Sequence, residues 1–394
     1  MNKQARAIIE ALRSGVPSKA VGSYFSEARP ALLKRIHDAL SAVASEGKSG
    51  GMVIVGKYGE GKTHLLNAVD VYASSANMVV SHICLGRESP MDKLPVIYSK
   101  IMASTYLPGH TLPGFTNELN SLTLNSALAK EMLLFATTNL ETNKLYYVLD
   151  AFLRSDNAED RYRLLSDMQG DLMPNSTLRM MAKAVCPDKV RFNIPFAKSK
   201  HMKDYFLFMS HLFRSLGYDG WVILFDETEL MGRMSKKARM LSYANIYDFL
   251  YPNKKLESTY SLFALSASYE EDVIEGKSEY ENAAMLFPDD RRIKVALDAL
   301  KRGVKLLPLT KEEMHVVFEK LIDFHEKAYD WKSPISADEL LKEATSAGFL
   351  LRTRIRYAIE CLDQLFQYGD EGTSKVEELE KESFVEDDAS PDEE

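Results

Sequence analysis

Apolar runs without alternation mark four strands in this chain. They are Met52–Val55, Met78–Leu85, Trp221–Phe225 and Leu262–Ser268. A strand that is apolar at every position is typical of a parallel sheet that is buried on both faces. Helical patterns follow these runs, so strand and helix alternate and the fold class is predicted to be α/β.

Helical spacing of apolar residues describes most of the remaining chain. It occurs over Lys3–Ser14 and Pro30–Ala44 before the first strand, and over Leu309–Tyr368 after the last. Thr310 and Glu313 predict a capping box at the start of this last region, because each can satisfy a backbone donor of the other.

Residues 105–205 interrupt the alternation, since they carry helical periodicity and no convincing strand. This pattern predicts a large helical insertion into the sheet domain. The predicted organisation is as follows: N-terminal helices leading into the core (1–50), the first part of the core (51–104), the helical insertion (105–205), the second part of the core (206–290), a helical lid (291–368) and an acidic disordered tail (369–394).

Size and composition are those of an ordinary globular protein. A chain of 394 residues with 45% apolar residues can build two or three domains. No apolar run is long enough to span a membrane and no signal-like segment follows the first residues, so we expect a cytoplasmic protein without membrane contact. Cys84, Cys186 and Cys361 are too widely separated to suggest a disulfide framework or a C-x-x-C metal site, and are expected to be buried thiols.

Charge is unevenly distributed along the chain. Residues 370–394 contain twelve acidic residues and two lysines, so the net charge of −8 becomes +2 for the remainder. Such a segment is typical of a solubilising tail, with an autoinhibitory strip or a dock for a basic partner as alternatives. A basic cluster also ends the insertion, and it is either a solvated rim or a surface for nucleic acid or a protein partner. Its members are Lys183, Lys189, Arg191, Lys198, Lys200, His201 and Lys203.

A glycine-rich loop joins the first strand to a helix. From Gly56 to Thr63 it reads Gly-Lys-Tyr-Gly-Glu-Gly-Lys-Thr, a complete phosphate-binding P-loop in the strand, loop and helix setting that the motif requires. Its glycines allow successive N–H groups to turn inward around an anion. Lys62 is expected to reach the β- and γ-phosphates, and Thr63 to ligate Mg²⁺. We therefore predict ATP and Mg²⁺ as cofactors, with these residues around the nucleotide: Gly56, Gly59, Glu60, Gly61, Lys62, Thr63 and His64.

Two carboxylates follow the strand Trp221–Phe225, which is a Walker B pattern. The carboxyl ends of parallel strands meet beside the phosphate-binding loop, where an open α/β sheet binds its ligand. Asp226 is expected to hold Mg²⁺ through water, and Glu227 to orient and polarise the attacking water. The pair predicts hydrolysis of ATP.

Other candidates are predicted from their position in the layout of AAA+ ATPases, a sheet followed by a small helical lid. Ser268 ends the strand after the two carboxylates and is the candidate for the sensor-1 role, with Ser266 as the alternative. The segment 16–21 precedes the first strand, where such ATPases commonly bind adenine, and a role in packing alone is the alternative.

Arginines predict contacts from the lid and between subunits. Arg352 is the candidate for meeting the γ-phosphate, and Arg354 and Arg356 remain alternatives. Arg352 and Arg356 are four residues apart and share one helix face. Arg291 or Arg292 is the candidate for an arginine finger that enters a neighbouring subunit's site, which implies a homo-oligomer. The alternative is a pair of surface charges without such a role.

The chain resembles the ATP-binding D component of BREX anti-phage systems and its helicase-associated relatives. The resemblance spans residues 5–365 and rests on seven blocks in order: Ile9–Pro17, Gly56–Leu66, Ser89–Leu94 with Tyr98, Leu216–Gly220, Asp226–Glu229, Leu306–Thr310 and Arg352–Arg356. It implies an AAA+ P-loop ATPase with a parallel αβα sheet, a helical lid, and other defence-system proteins, such as a helicase or nuclease, as partners.

The predicted function is therefore a Mg-ATP-dependent ATPase that drives or gates a partner nuclease, helicase or DNA complex in anti-phage defence. Two alternatives stay open. One is a nucleotide-dependent assembly switch with little turnover, and the other is a DNA-binding ATPase that resembles origin-recognition proteins. DNA is a candidate partner, although the chain leaves no room for a full C-terminal winged helix.

Overall fold

The computed structural model describes residues 2–14, 21, 29–186, 189–252, 256–348 and 350–369. The predicted acidic tail lies outside these residues, apart from its first position. The strands in chain order are β1 (Gly50–Gly56), β2 (Met78–Cys84), β3 (Thr105–Tyr106), β4 (Gly220–Asp226), β5 (Thr259–Ser266) and β6 (Val304–Lys305). They form one six-stranded sheet in the order β3-β2-β4-β5-β1-β6, and the pair of β2 and β3 is the one antiparallel pair in it.

The sheet confirms the predicted α/β class and its mostly parallel strands. Strand β5 separates β1 from β4, and Gly56 at the end of β1 is opposite Ser266 at the end of β5. Cys84 at the end of β2 is likewise opposite Asp226 at the end of β4. The carboxyl ends of the four central strands therefore lie along one edge of the sheet, the edge at which such sheets bind ligands.

Helices occupy most of the remaining described residues. In chain order they are α1 (Lys3–Ser14), α2 (Pro30–Glu46), α3 (Lys62–Ser75), α4 (Leu94–Ala103), α5 (Thr116–Asn120), α6 (Ala127–Thr138), α7 (Lys144–Arg154), α8 (Ala158–Met168), α9 (Asn175–Val185), α10 (Lys198–Ser215), α11 (Lys236–Leu250), α12 (Glu279–Leu286), α13 (Arg291–Lys301), α14 (Lys311–Tyr329), α15 (Ala337–Ala347) and α16 (Leu351–Tyr368). A 3-10 helix (Thr228–Arg233) follows β4, and a π-helical turn (Glu270–Glu275) follows β5.

Helices cover both faces of the sheet, because side chains along each strand alternate between two apolar clusters. Ile54 of β1 packs with α2 and α3, whereas its neighbour Val53 packs on the opposite face. Along β4, Val222 and Leu224 face α2 and α3, and Trp221, Ile223 and Phe225 face the other cluster. Both faces are therefore buried, which explains why apolar residues in these strands do not alternate with exposed polar ones.

The insertion shares its core with the sheet. Apolar residues of α6 to α10 join the same cluster as Trp221 and Phe263, so the insertion extends one layer of the fold. Strand β3 stands at its beginning, where an all-helical segment was predicted. Pairing with β2, through Val80 and Ser81, explains this two-residue strand, which has no local sequence signal.

A buried network of charged and polar side chains connects helices α7, α8 and α10 of the insertion. Lys144 of α7 lies 2.8 Å from a carboxylate oxygen of Asp167, and both side chains are buried. Asp167 also accepts hydrogen bonds from the Tyr205 hydroxyl at 2.5 Å and from the Met173 backbone N–H at 2.7 Å. Lys144 donates to the Met173 carbonyl at 3.1 Å and lies 4.6 Å from the ring centroid of Phe196. Burial lowers the pKa of Lys144 and raises that of Tyr205.

The lid core includes the first helix of the chain. Ile8 and Ile9 of α1 are buried among apolar residues of α14, α15 and α16. Arg13 forms two hydrogen bonds to the Asp363 carboxylate, at 2.7 and 3.0 Å, and His325 of α14 contacts the same carboxylate at 3.1 Å. Helix α1 is thus anchored to the lid by apolar packing and by a shared carboxylate.

The packing of α13 shows where the sheet core ends and the lid core begins. Helix α13 buries Ile293, Leu297 and Leu300 in the cluster that covers the sheet, and contributes to the sheet core rather than to the lid core. The capping box of Thr310 and Glu313 is confirmed at the start of α14. No helix among the described residues is long and apolar enough to cross a membrane.

The cysteines differ from the expectation of three buried thiols. Cys361 is buried, whereas Cys186 is half-buried and Cys84 is exposed at the end of β2. The expectation was wrong for Cys84 because its strand ends there, at the ligand-binding edge of the sheet. Its partial burial, with smaller contributions from Asp226 and Glu227, raises the pKa of this thiol to about 11.

Candidate active site

The loop between β1 and α3 needs its glycines for two different reasons. Gly59 and Gly61 have φ angles of +76° and +89°, in the left-handed region that residues with a Cβ rarely adopt. Gly56 instead lies against its neighbours, since a Cβ there would come within 2.9 Å of the Leu306 Cβ atom. Helix α3 starts at Lys62 directly after Gly61, and no side chain caps it among the described residues. Its first backbone N–H groups are therefore the kind of donors that bind phosphate.

Lys62 lies with its amine folded back inside the loop. Its ammonium donates to the Gly56 carbonyl at 3.2 Å and lies 3.7 Å from a carboxylate oxygen of Glu229. Both side chains are buried. The same Gly56 carbonyl accepts a hydrogen bond from the Ala267 N–H at 3.0 Å, so the loop is tied to the end of β5.

Asp226 and Glu227 end β4 in different surroundings. Asp226 is buried and accepts a hydrogen bond from the Glu227 N–H at 2.9 Å, whereas Glu227 is exposed. Glu227 has a φ angle of +52°, and this conformation costs a residue other than glycine about 1–3 kcal/mol. The turn at Glu227 redirects the chain from β4 into the 3-10 helix and leaves its carboxylate at the mouth of the site.

These elements line one cavity of about 390 Å³. Its polar wall contains Arg29, Tyr58, Gly59, Glu60, Gly61, Lys62, Thr63, His64, Asp226, Glu227, Glu229 and Arg352. Its apolar wall contains Ala11, Leu12, Val21, Leu33, Leu65, Ala68, Leu309, Val317, Leu351 and Ile355. The structure thus brings together residues 58–64 of the loop and the helix start, both carboxylates and one lid arginine, whereas Gly56 lines a neighbouring cavity. Of the segment 16–21, Val21 lines this cavity and the other residues lie outside the described ones.

Arg352 is the one lid arginine, among the three candidates, that lines the cavity. Its backbone N–H donates to the Gly59 carbonyl at 3.3 Å, and its guanidinium donates to the Tyr58 hydroxyl at 3.2 Å. Arg354 instead donates to the Gly348 carbonyl at 2.8 Å, away from the loop. The lid therefore contacts the phosphate loop through Arg352.

Ser268, the sensor candidate, lies outside the cavity lining. Strand β5 ends at Ser266, and the chain turns into the π-helical segment, so Ser268 is exposed beyond the strand. Its hydroxyl lies 3.3 Å from that of Ser266. Ser266 faces a neighbouring cavity on the other side of the loop, and its backbone N–H donates to Glu229 at 3.0 Å. Neither serine hydroxyl is brought to the main cavity.

The two arginine-finger candidates differ in their pairing. Arg292 forms ion pairs with Asp290 at 2.7 Å and Asp248 at 2.9 Å. The hydrogen bonds that the Arg292 guanidinium donates to the Asp290 carboxylate contribute most to raising the pKa of Arg292. Arg291 is exposed at the start of α13. The Arg292 guanidinium is thus already engaged in ion pairs within its own chain.

Sequence motifs gave no role to Glu229 and Arg29, which also belong to the polar wall of the cavity. Glu229 lies in a block on which the family resemblance rests, and its contacts with Lys62 and Ser266 join residues far apart in sequence. Arg29 precedes α2 and donates to the carbonyls of Glu60, at 2.9 Å, and Leu307. Burial lowers the pKa of Arg29. No sequence signal marks Arg29, whereas the short acidic run after β4 could have drawn attention to Glu229.

The basic cluster at the end of the insertion is mostly exposed. Its lysines and Arg191 are exposed, and Lys203 is paired with Asp248 at 2.9 Å. His201 differs, because its side chain is buried and its Nδ1 accepts a hydrogen bond from the Ala197 N–H at 2.9 Å. His201 therefore belongs to the structure of the α10 start and not to the exposed charge.

Comparison with known proteins identifies the family. A search of curated proteins finds no match. A family model described as BREX system ATP-binding protein BrxC/D matches residues 1–112 and 152–374, which include β1 to β6, the phosphate loop, the carboxylates after β4 and the lid. The interruption falls within the helical insertion. Because the match covers most of the chain, this protein belongs to the BREX system ATP-binding family.

Proposed function

We propose that this protein is a Mg-ATP-dependent AAA+ ATPase that drives or gates a partner nuclease, helicase or DNA complex in anti-phage defence. One observation carries the proposal: a single cavity is lined by the glycine-rich loop, by Asp226 and Glu227, and by Arg352 of the lid. Family membership supports ATP as the ligand and phage defence as the setting.

The cavity has the two surfaces that a nucleotide needs. Its volume of about 390 Å³ falls within the range of about 300–1,000 Å³ for small-molecule sites. One side carries the loop glycines, Lys62 and the start of α3, which suit phosphates. The other side is apolar and is formed by α1, α2 and the lid, which suits a base. ATP and Mg²⁺ therefore fit the residues present.

Each polar side chain has a distinct proposed role. Lys62 leaves the Gly56 carbonyl to contact the β- and γ-phosphates, and the Arg352 guanidinium contacts the γ-phosphate from the lid. Thr63 and the buried Asp226 would hold Mg²⁺, which would neutralise negative charge on the phosphates. Glu227, at the mouth, accepts a hydrogen bond from the attacking water and orients it.

The arrangement of strands and lid supports assignment to the AAA+ class. A strand separates β1, which leads into the phosphate loop, from β4, which carries the carboxylates. A helical lid follows the sheet in sequence and contacts the loop through Arg352. The proposal also includes a homo-oligomer in which Arg291 is the arginine finger. It further includes a cytoplasmic location and contact with DNA.

The proposal is tested by Lys62→Ala, with Lys57→Ala as the matched control. Lys57 is in the same loop but is exposed and does not line the cavity. Lys62→Ala is expected to weaken ATP binding by about a hundredfold or more, because it removes a charge-assisted contact to phosphate. Lys57→Ala should bind ATP within a few-fold of the wild type. Equal ATP affinity of Lys62→Ala and the wild type in calorimetry would reject the proposed site.

A further inference from the structure

Glu229 closes a ring of contacts behind the phosphate loop. Its Oε1 atom lies 3.7 Å from the Lys62 ammonium, and its Oε2 atom accepts the Ser266 N–H at 3.0 Å. Lys62 donates to the Gly56 carbonyl, which also accepts the Ala267 N–H. The loop, the end of β5 and the segment after β4 therefore meet at one lysine and one carboxylate.

The distance between Lys62 and Glu229 allows the lysine to exchange the carboxylate for another anion. At 3.7 Å the ammonium and carboxylate attract each other without a hydrogen bond between them, since such bonds require about 2.7–3.2 Å. Both groups line the cavity, so an incoming phosphate can reach the ammonium from the open side. A carboxylate and a phosphate then compete for the same positive charge.

We propose that Glu229 is a positioning residue that holds Lys62 in the empty site and senses nucleotide through the loss of that contact. This role rests on the proposed function. Binding of phosphate draws Lys62 away, while Glu229 keeps its hydrogen bond from the Ser266 N–H. Occupancy of the phosphate loop is thereby transmitted to the end of β5, next to the segment that carries Ser268.

The variant Glu229→Gln tests the charge of this side chain while its size and shape stay nearly the same. Glu229→Gln keeps an oxygen that can accept the Ser266 N–H, but removes the charge that competes with phosphate. ADP, measured without Mg²⁺ so that metal binding does not contribute, is expected to bind about tenfold more tightly, equivalent to about 1.4 kcal/mol. Glu229→Asp keeps the charge and should bind ADP within a few-fold of the wild type.

A mutant cycle tests the pairing without nucleotide. Glu229→Gln and Lys62→Met should each lower the denaturation midpoint of the empty protein, because each removes one of two opposite charges that attract each other in a buried position. The double variant should recover part of the loss, so that the two effects are not additive. Additive losses would overturn the pairing.

The outcomes separate the inference from the proposed function. If the wild type binds ADP and Glu229→Gln binds it equally or more weakly, the sensing role is overturned and the nucleotide site stands. If the wild type binds neither ADP nor ATP, the proposed function fails and the sensing role fails with it. Tighter ADP binding by Glu229→Gln together with a coupled cycle supports the inference.

Discussion

Two buried pairs of lysine and carboxylate differ in how completely they are enclosed. Lys144 and Asp167 lie 2.8 Å apart inside the insertion, where a tyrosine hydroxyl and the Met173 backbone satisfy the carboxylate and the ammonium. Lys62 and Glu229 lie 3.7 Å apart at the wall of a cavity. Further hydrogen bonds hold both members of the first pair, whereas the second pair lines a cavity. Burial alone therefore does not separate the two pairs, whereas the spacing of the charged groups and their access to a cavity do.

Breaking the enclosed pair should give the largest effect. Asp167→Asn leaves the Lys144 charge buried without its partner, so the free energy of unfolding is expected to fall by about 3–5 kcal/mol. Asp171→Asn, an exposed neighbour, is the control and should change it by less than about 0.5 kcal/mol. Urea denaturation measures both. A loss below 1 kcal/mol in Asp167→Asn would mean that the insertion does not depend on this pair.

Removing the charge at the mouth of the site should affect turnover and spare binding. Glu227→Gln is expected to lower ATP hydrolysis by about a hundredfold or more, because the attacking water loses its base. ATP affinity should stay within a few-fold of the wild type. Glu271→Gln, exposed beyond β5, is the control. Hydrolysis at the wild-type rate would remove Glu227 from the mechanism.

The same Glu227→Gln variant distinguishes a motor from an assembly switch. A motor must cycle, so a variant that binds but does not hydrolyse ATP should lose phage protection. A switch needs only the ATP-bound state, so the variant should stay protective or become toxic. Phage plating measures this outcome directly.

Removing the lid contact should give a smaller effect than removing Glu227. Arg352→Ala is expected to lower ATP hydrolysis by about tenfold, since it removes one charged hydrogen bond to the γ-phosphate. ADP lacks that group, so ADP affinity should change by no more than a few-fold. Arg354→Ala, which does not line the cavity, is the control. An equal loss of ATP and ADP binding would indicate a role in folding of the lid instead.

The smallest effect is expected from the exposed charges of the insertion. Changing Lys198 and Lys200 to Glu should weaken DNA binding several-fold. The slope of log K for binding against the logarithm of the salt concentration should fall in magnitude by about two, as expected for two lost phosphate contacts. Lys236→Glu with Lys237→Glu makes the same charge change on α11, where both residues are exposed. Fluorescence anisotropy over a salt series compares them. Equal effects of both double variants would assign the cluster to a solvated rim.

The sequence pattern predicted those parts of the fold that depend on residues close together in the chain. The four long strands are mostly apolar on both faces, the loop needs glycine at 59 and 61 for its backbone angles, and the capping box at Thr310 depends on residues three apart. Strands β3 and β6 have two residues each and form because a neighbouring strand offers hydrogen bonds. No periodicity exists in so short a segment, so they could not be predicted.

The candidate site shows the same division. Lys62, Thr63, Asp226 and Glu227 follow from motifs, and the structure places all four around one cavity. Arg29 and Glu229 reach the cavity through contacts between distant segments, which a motif does not record. The position of Ser268 depends on where β5 ends, and strand ends are decided by pairing rather than by composition.

The attachment of α1 to the lid has a consequence for biosynthesis. Arg13 and Asp363 are separated by 350 residues, so the ribosome makes α1 long before any of its partner helices. Until then the side chains of Ile8 and Ile9 have no native surface to cover them, and such exposed apolar groups favour misassembly in nascent chains. The cavity cannot be completed earlier either, because Ala11 and Leu12 of α1 and Arg352 of α16 form parts of its wall. The wall of this cavity is therefore complete only after nearly all of the described chain has been translated.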